Sequence, residues 1–289
     1  MRKFLRKTAF RLFVILGAAW LGLCVLAYIF YPKLLYHPDK SDFSSTPTML
    51  GAESYEEVWL TASDGVRVNA WFVPGATNGK KDKTILFFHG NAGNLSGYAH
   101  RMALYSRLGY DVLMVEYHGF GKSQGEPSEK TLYLDAEAAW RHLTEERGVA
   151  PSKVVIFGYS LGGAVAAWLA EKHPEAAGLI LESTFSSLAG VASDFFPYLP
   201  CRLIVGNAFD TLGRLDGIRM PLLLMHGRTD QLIAYRHAET IFAAFAGPKT
   251  FKTIAGNHTL GYLLNGETYE SYIEEFIAGL DDVAGPLSR

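Results

Sequence analysis

The chain has 289 residues, 49% of them hydrophobic and 19% charged, with a formal net charge of −2. That length and apolar content support one large folded domain and exclude an intrinsically disordered chain. No basic block follows the first eleven residues, which excludes a nucleic-acid binder, and with only two cysteines, Cys24 and Cys201, neither a disulfide framework nor a thiolate zinc site is expected.

In chain order, the first element is an apolar helix. Arg2, Lys3, Arg6, Lys7 and Arg11 precede the uncharged run LFVILGAAWLGLCVLAYIFY, from Leu12 to Tyr31. At about 1.5 Å per residue this run matches the roughly 30 Å of a bilayer's hydrocarbon core. Only Lys33 and Lys40 are basic in the stretch that follows, so the charge bias predicts a cytoplasmic N-terminus and a folded domain across the membrane. A cleaved signal peptide would need a small-x-small site, which AYIFYPK lacks, and a lipoprotein signal would need a small residue where Leu23 stands. Residues 1–31 therefore read as a basic stub and an uncleaved anchor. Residues 32–54, bearing proline and serine, read as a linker or a clasp along the domain surface.

From Tyr55 the pattern changes. YEEVWL and VRVNAWFV alternate polar and apolar residues around Ser63-Asp64-Gly65 and predict an antiparallel hairpin. Apolar strands TILFFHG, DVLMVEY, KVVIFG, GLILES, PLLLMHG and KTFKTI then alternate with helices near 97–108, 130–146, after Ser160, 235–246 and 269–280. Continuous apolar strands separated by helices predict a mostly parallel, eight-stranded sheet covered on both faces, with the hairpin at one edge. Residues 55–289 form this one domain, and 184–219 form an irregular insertion over it. Ligands of such sheets bind at the carboxyl ends of the strands.

There VVIFGYSLGGAVAAWLA places Ser160 where strand sequence becomes helix sequence, flanked by Gly158 and Gly162. A serine on such a turn projects its hydroxyl above the sheet, and the following helix aims its amides at the same spot. The hydroxyl needs a base, and the base an orienting acid. Asp230 follows PLLLMHG and His258 follows KTFKTI, so Ser160, Asp230 and His258 occur in the order this motif demands. Glu182, ending GLILE, is the competing acid. His89 and His226, each before a glycine, read as turn residues packing the site. The second oxyanion donor is expected in HGNAGN, giving the amides of Asn91 and Leu161.

HGNAGN, EYHGFGKSQGEPSE, GYSLGG, HGRTD and GNHT together resemble the α/β-hydrolase superfamily, and more narrowly its single-pass, membrane-anchored α/β-hydrolase-domain branch. The resemblance spans residues 55–280 and implies an α/β-hydrolase fold and a serine hydrolase with Ser160 as nucleophile, His258 as base, Asp230 as acid, and Asn91 and Leu161 as backbone donors. It also implies ester, thioester or lysophospholipid-like substrates. One departure is His118, where relatives often carry arginine.

In the insertion, a lid, Phe185, Phe195, Phe196, Tyr198 and Leu199 are the expected substrate-binding residues; apolar side chains there form either a small satellite core or an acyl-binding wall. FGKSQG lacks the first glycine of a phosphate loop. Asn94-Leu95-Ser96 and Asn257-His258-Thr259 match a glycosylation pattern, but a glycan at either place would obstruct the site. That favours a bacterial inner membrane facing the periplasm. The expected partners are an ester substrate and the bilayer; no metal or organic cofactor is expected. Peptidase or amidase activity and a non-catalytic, membrane-tethered binding domain are the alternatives.

Overall fold

Residues 1–283 are described by a computed structural model; the last six residues of the expected 55–289 domain lie outside the described residues. Eight strands form one sheet: β1 Glu56–Thr61, β2 Arg67–Val73, β3 Thr84–Phe88, β4 Asp111–Val115, β5 Val154–Tyr159, β6 Gly178–Glu182, β7 Leu222–Gly227 and β8 Lys249–Ile254. Their spatial order is β8-β7-β6-β5-β3-β4-β2-β1. β2 runs antiparallel to both β1 and β4, and the remaining pairs are parallel, so the hairpin is the antiparallel edge.

The central strands are apolar throughout because helices cover both faces. Every residue of β3 and β5 is buried. Alternate residues serve opposite cores: Leu86, Phe88 and Ile156 pack with helices α3 Glu129–Arg141, α4 Leu161–Lys172 and α7 Arg236–Ala244. Ile85, Phe87 and Phe157 pack with α2 Ala99–Arg107 and α8 Gly261–Val283. This is a doubly covered parallel sheet, whose strands show no alternation in sequence for that reason.

Three elements differ from expectation. The segment 184–219 is not irregular but holds two short helices, α5 Leu188–Phe195 and α6 Cys201–Val205, and a 3-10 turn at Leu212–Gly217. The Ser187 side chain caps α5 by accepting from the Gly190 amide. The helix expected from 269 begins at Gly261, broken by a non-helical Gly266. The helix expected to 146 ends as an α-helix at Arg141 and closes in a π-turn.

The N-terminal helix α1 runs from Arg2 to Leu35, past Tyr31 and through Pro32. Among the described residues it is the one helix long and apolar enough to cross a membrane. Beyond it, His37–Pro38 pairs in parallel with Ala92–Gly93, and Phe43 stands edge-on to Trp71 at 4.8 Å. The segment after α1 thus runs along the domain surface. α1 itself lies against the insertion, where the Trp20 indole donates to the Tyr198 carbonyl at 3.0 Å.

Candidate active site

Ser160 sits between β5 and α4 with φ 53° and ψ −120°. This left-handed conformation is costly for a residue with a Cβ, and it lifts the side chain off the sheet. The turn is tight enough to demand the flanking glycines: a Cβ on Gly158 would stand 2.3 Å from the Gly162 carbonyl oxygen, and one on Gly162 2.1 Å from that of Phe88. The elbow is held by the Ser160 amide donating to Glu182 O at 2.9 Å and the Thr184 hydroxyl donating to Ser160 O at 2.8 Å.

His258 and Asp230 stand beyond the carboxyl ends of β8 and β7, and both reach Ser160's side of the sheet. His258 Nε2 is 2.9 Å from Ser160 Oγ, and Nδ1 is 2.7 Å from Asp230 Oδ2. Asp230 Oδ1 accepts from the amides of Leu232 and Ile233 at 2.9 and 2.8 Å, so the carboxylate cannot swing away. Burial pushes the Asp230 carboxyl up. The hydrogen bond and charge of His258, with the Ile233 amide, outweigh it and hold the group below its ordinary value. The Tyr159 hydroxyl donates to His258 O at 2.9 Å and fixes the loop that carries the histidine.

The depressed Asp230 pKa makes a pH prediction. A carboxyl held low in the folded state contributes stability that is present above its unfolded value, about 3.9, and lost as pH falls through the folded value. Urea midpoints of the full chain in detergent micelles should therefore fall below about pH 4 more steeply than those of Asp230→Asn. Parallel profiles for the two chains would remove the assignment.

Ser160, Asn91 and Leu161 line one cavity of about 450 Å³. The Asn91 and Leu161 amides donate to no acceptor among the described residues, which leaves both free for an oxyanion. The Asn91 side chain is pinned, Nδ2 donating to Leu35 O at 2.6 Å, and its carbonyl accepts from the His37 amide at 2.9 Å. The five expected lid residues, Phe185, Phe195, Phe196, Tyr198 and Leu199, all line this cavity, and no lining residue is charged.

The competing acid is occupied elsewhere. Glu182 is fully buried and bidentate with Arg101 at 2.7 and 2.8 Å, and accepts from the Tyr269 hydroxyl at 2.7 Å. Arg101 stacks on Tyr159 and Tyr262, so this ion pair stands directly behind the residue that fixes His258. His226 Nε2 donates to Ile233 O at 2.9 Å beside Asp230, and burial is the main cause that lowers its pKa. His89 is buried at the start of the HGNAGN loop, 3.4 Å from Glu116. His118 bonds Asp135 at 2.6 Å and approaches Asp64 at 3.3 Å, tying α3 to the hairpin turn. The Asn94 side chain, in one of the two glycosylation patterns, is buried.

Sequence reasoning missed α1 as a contributor to the cavity. It also missed Leu188, Val191, Ile204 and Leu232, which are among the remaining lining residues. The apolar spacing of 188, 191 and 192 was the available signal for the α5 face.

The family model for serine aminopeptidase, S33, matches residues 79–200. The α/β hydrolase domain-containing protein WAV2 of Arabidopsis thaliana is 33% identical over 270 residues, covering 84% of this chain and 86% of that protein. Protein bem46 of Schizosaccharomyces pombe is 30% identical over 293 residues, covering 94% of this chain and 95% of its own length. Among solved structures, an esterase of Pyrococcus furiosus superposes with a TM-score of 0.69 at 21% identity, over 84% of this chain and 97% of the esterase. The esterase is a likeness of fold alone. Identity of about a third along most of both chains, as with WAV2, is a likeness of descent, and by it the chain belongs to the α/β-hydrolase superfamily.

Proposed function

We propose that the chain is a membrane-anchored serine hydrolase that cleaves carboxylic esters or thioesters of acyl, lipid-like substrates. The observation that carries this reading is the hydrogen-bonded series Ser160–His258–Asp230 opening into an uncharged, apolar cavity. As Ser160 Oγ attacks the carbonyl carbon, His258 Nε2 takes its proton, and the imidazolium keeps its Nδ1–H on Asp230. The tetrahedral oxyanion accepts from the Asn91 and Leu161 amides. Collapse breaks the bond to the alcohol or thiol, which leaves with the proton from His258, and the acyl group stays on Ser160. Water, deprotonated by His258, then attacks the acyl-enzyme. The proton returns to Oγ and a carboxylic acid departs.

The cavity lining favours esters over peptides with free N-termini. An aminopeptidase must pair the substrate's ammonium group with a carboxylate, and no lining residue carries one. Five basic residues before the apolar run, against Lys33 and Lys40 after it, support a cytoplasmic N-terminus and a catalytic domain across the membrane, with residues 184–219 as its lid.

The test is exposure of membranes bearing the full chain to a fluorophosphonate probe. Covalent labelling, suppressed by prior incubation with an acyl ester, is expected. A folded chain that takes no label would leave the non-catalytic binding domain as the better reading.

A further inference from the structure

We propose that α1 is one wall of the acyl-chain site, and that the substrate is an acyl ester of the bilayer which reaches Ser160 sideways, from the far leaflet, between α1 and the lid helices. This rests on the ester-hydrolase reading above and names where its substrate resides.

The cavity above Ser160 is bounded by α5 and α6 on one side and by α1 on the other. Leu23, Leu26, Ala27, Phe30, Tyr31 and Leu34 all line it. Their spacing of three and four residues makes a single stripe of the helix, the pattern of a face that packs against something. The wall is not sealed. Leu23, Leu26 and Phe30 line the cavity yet remain 44%, 52% and 45% exposed. The cavity is therefore open along the helix, toward the volume that the bilayer fills.

Depth along α1 gives the same answer. Arg11 and Lys33 bracket the uncharged part of the helix and stand about 33 Å apart along its axis, close to the hydrocarbon thickness. Trp20, bonded to Tyr198 of the lid, lies about 20 Å inside the Lys33 end. The lid thus meets α1 within the hydrocarbon layer and not above it. The lid surface is suited to that place: Phe195, Phe196, Tyr198 and Leu203 are exposed, Leu203 at 84%. A cluster of this kind on a lid is a poor surface to hold in water and a good one to hold in lipid. The occupant that fits an apolar slot continuous with hydrocarbon and ending at a serine hydroxyl is a long acyl chain whose ester carbonyl lies at Ser160.

The test uses the full chain in phosphatidylcholine proteoliposomes. Ala27→Trp fills the slot from the α1 side. The ratio of kcat/KM for p-nitrophenyl palmitate over p-nitrophenyl butyrate is expected to fall at least tenfold, and an unchanged ratio would overturn the proposal. A second variant covers the case in which tryptophan is not accommodated. Leu203→Cys, at an exposed position in a chain whose native cysteines are both buried, is labelled with a polarity-sensitive fluorophore. Quenching by vesicles with brominated acyl chains is expected; quenching by aqueous iodide without quenching by bromolipid would overturn the proposal. Fluorophosphonate labelling of the parent separates the two levels. A labelled parent with an unchanged ratio removes this inference alone, and an unlabelled parent removes the ester-hydrolase reading and this inference with it.

Discussion

Replacing Ser160 by alanine is expected to lower kcat for an acyl ester by on the order of 10⁶, with little change in KM. In the mechanism proposed above the hydroxyl forms the acyl-enzyme, and no other hydroxyl or thiol among the described residues is hydrogen-bonded to His258 Nε2. His258→Ala should cost about as much, because an unassisted hydroxyl at neutral pH is a weak nucleophile. The combination is the sharper observation. Groups that act as one unit are not additive, so the double variant should be no slower than either single one. Residual hydrolysis above the rate in water would then report the Asn91 and Leu161 amides and substrate binding. Steady-state kinetics on the three variants, with circular dichroism to establish folding, decides the matter. A double variant slower by the product of the single effects would mean that the two residues act in separate steps, against the 2.9 Å bond between them.

Arg101→Leu is expected to destabilise the domain by about 3–5 kcal/mol, the penalty for leaving a buried carboxylate without its partner. Arg101 is 3% exposed and Glu182 fully buried. Burial opposes the charge on Arg101, but Glu182 more than offsets it and holds the guanidinium protonated. At roughly 2–4 °C per kcal/mol for a domain of this size, the melting temperature in detergent micelles should drop by on the order of 10 °C. Since Glu182 O also accepts the Ser160 amide, activity should fall before the domain melts. The control is the double replacement Arg101→Leu with Glu182→Leu. Removing both charges removes the desolvation penalty as well, and most of the lost stability should return. A double variant as unstable as Arg101→Leu would mean that packing on Tyr159 and Tyr262, and not the charge pair, sets the stability.

What the sequence made legible follows from how local each signal is. The elbow was readable because its requirements are confined to five residues: a strained serine and two positions where no Cβ fits. Asp230 and His258 were readable because each follows an apolar strand, and the strand ends of a parallel sheet share one edge. Glu182 was ambiguous for the same reason, since it too ends a strand. Its tertiary partners Arg101 and Tyr269, eighty-one and eighty-seven positions away in sequence, are what separate it from Asp230. The helices of the insertion escaped notice because α5 and α6 are short and a proline-bearing segment separates them. The α1 stripe could not be found by pattern at all. When every residue from Leu12 to Tyr31 is uncharged and nearly all are apolar, periodicity carries no information about which face meets the protein.

A helix that served only to cross a bilayer would be exchangeable for any other of equal length and hydropathy. The end of α1 is not free in that way. Leu35 holds the Asn91 side chain, and the two residues His37 and Pro38 pair as a short strand with Ala92 and Gly93 of the same loop. A truncation at the end of α1, the natural place to cut for a soluble domain, would therefore take away the partners that hold the loop of Asn91 in place.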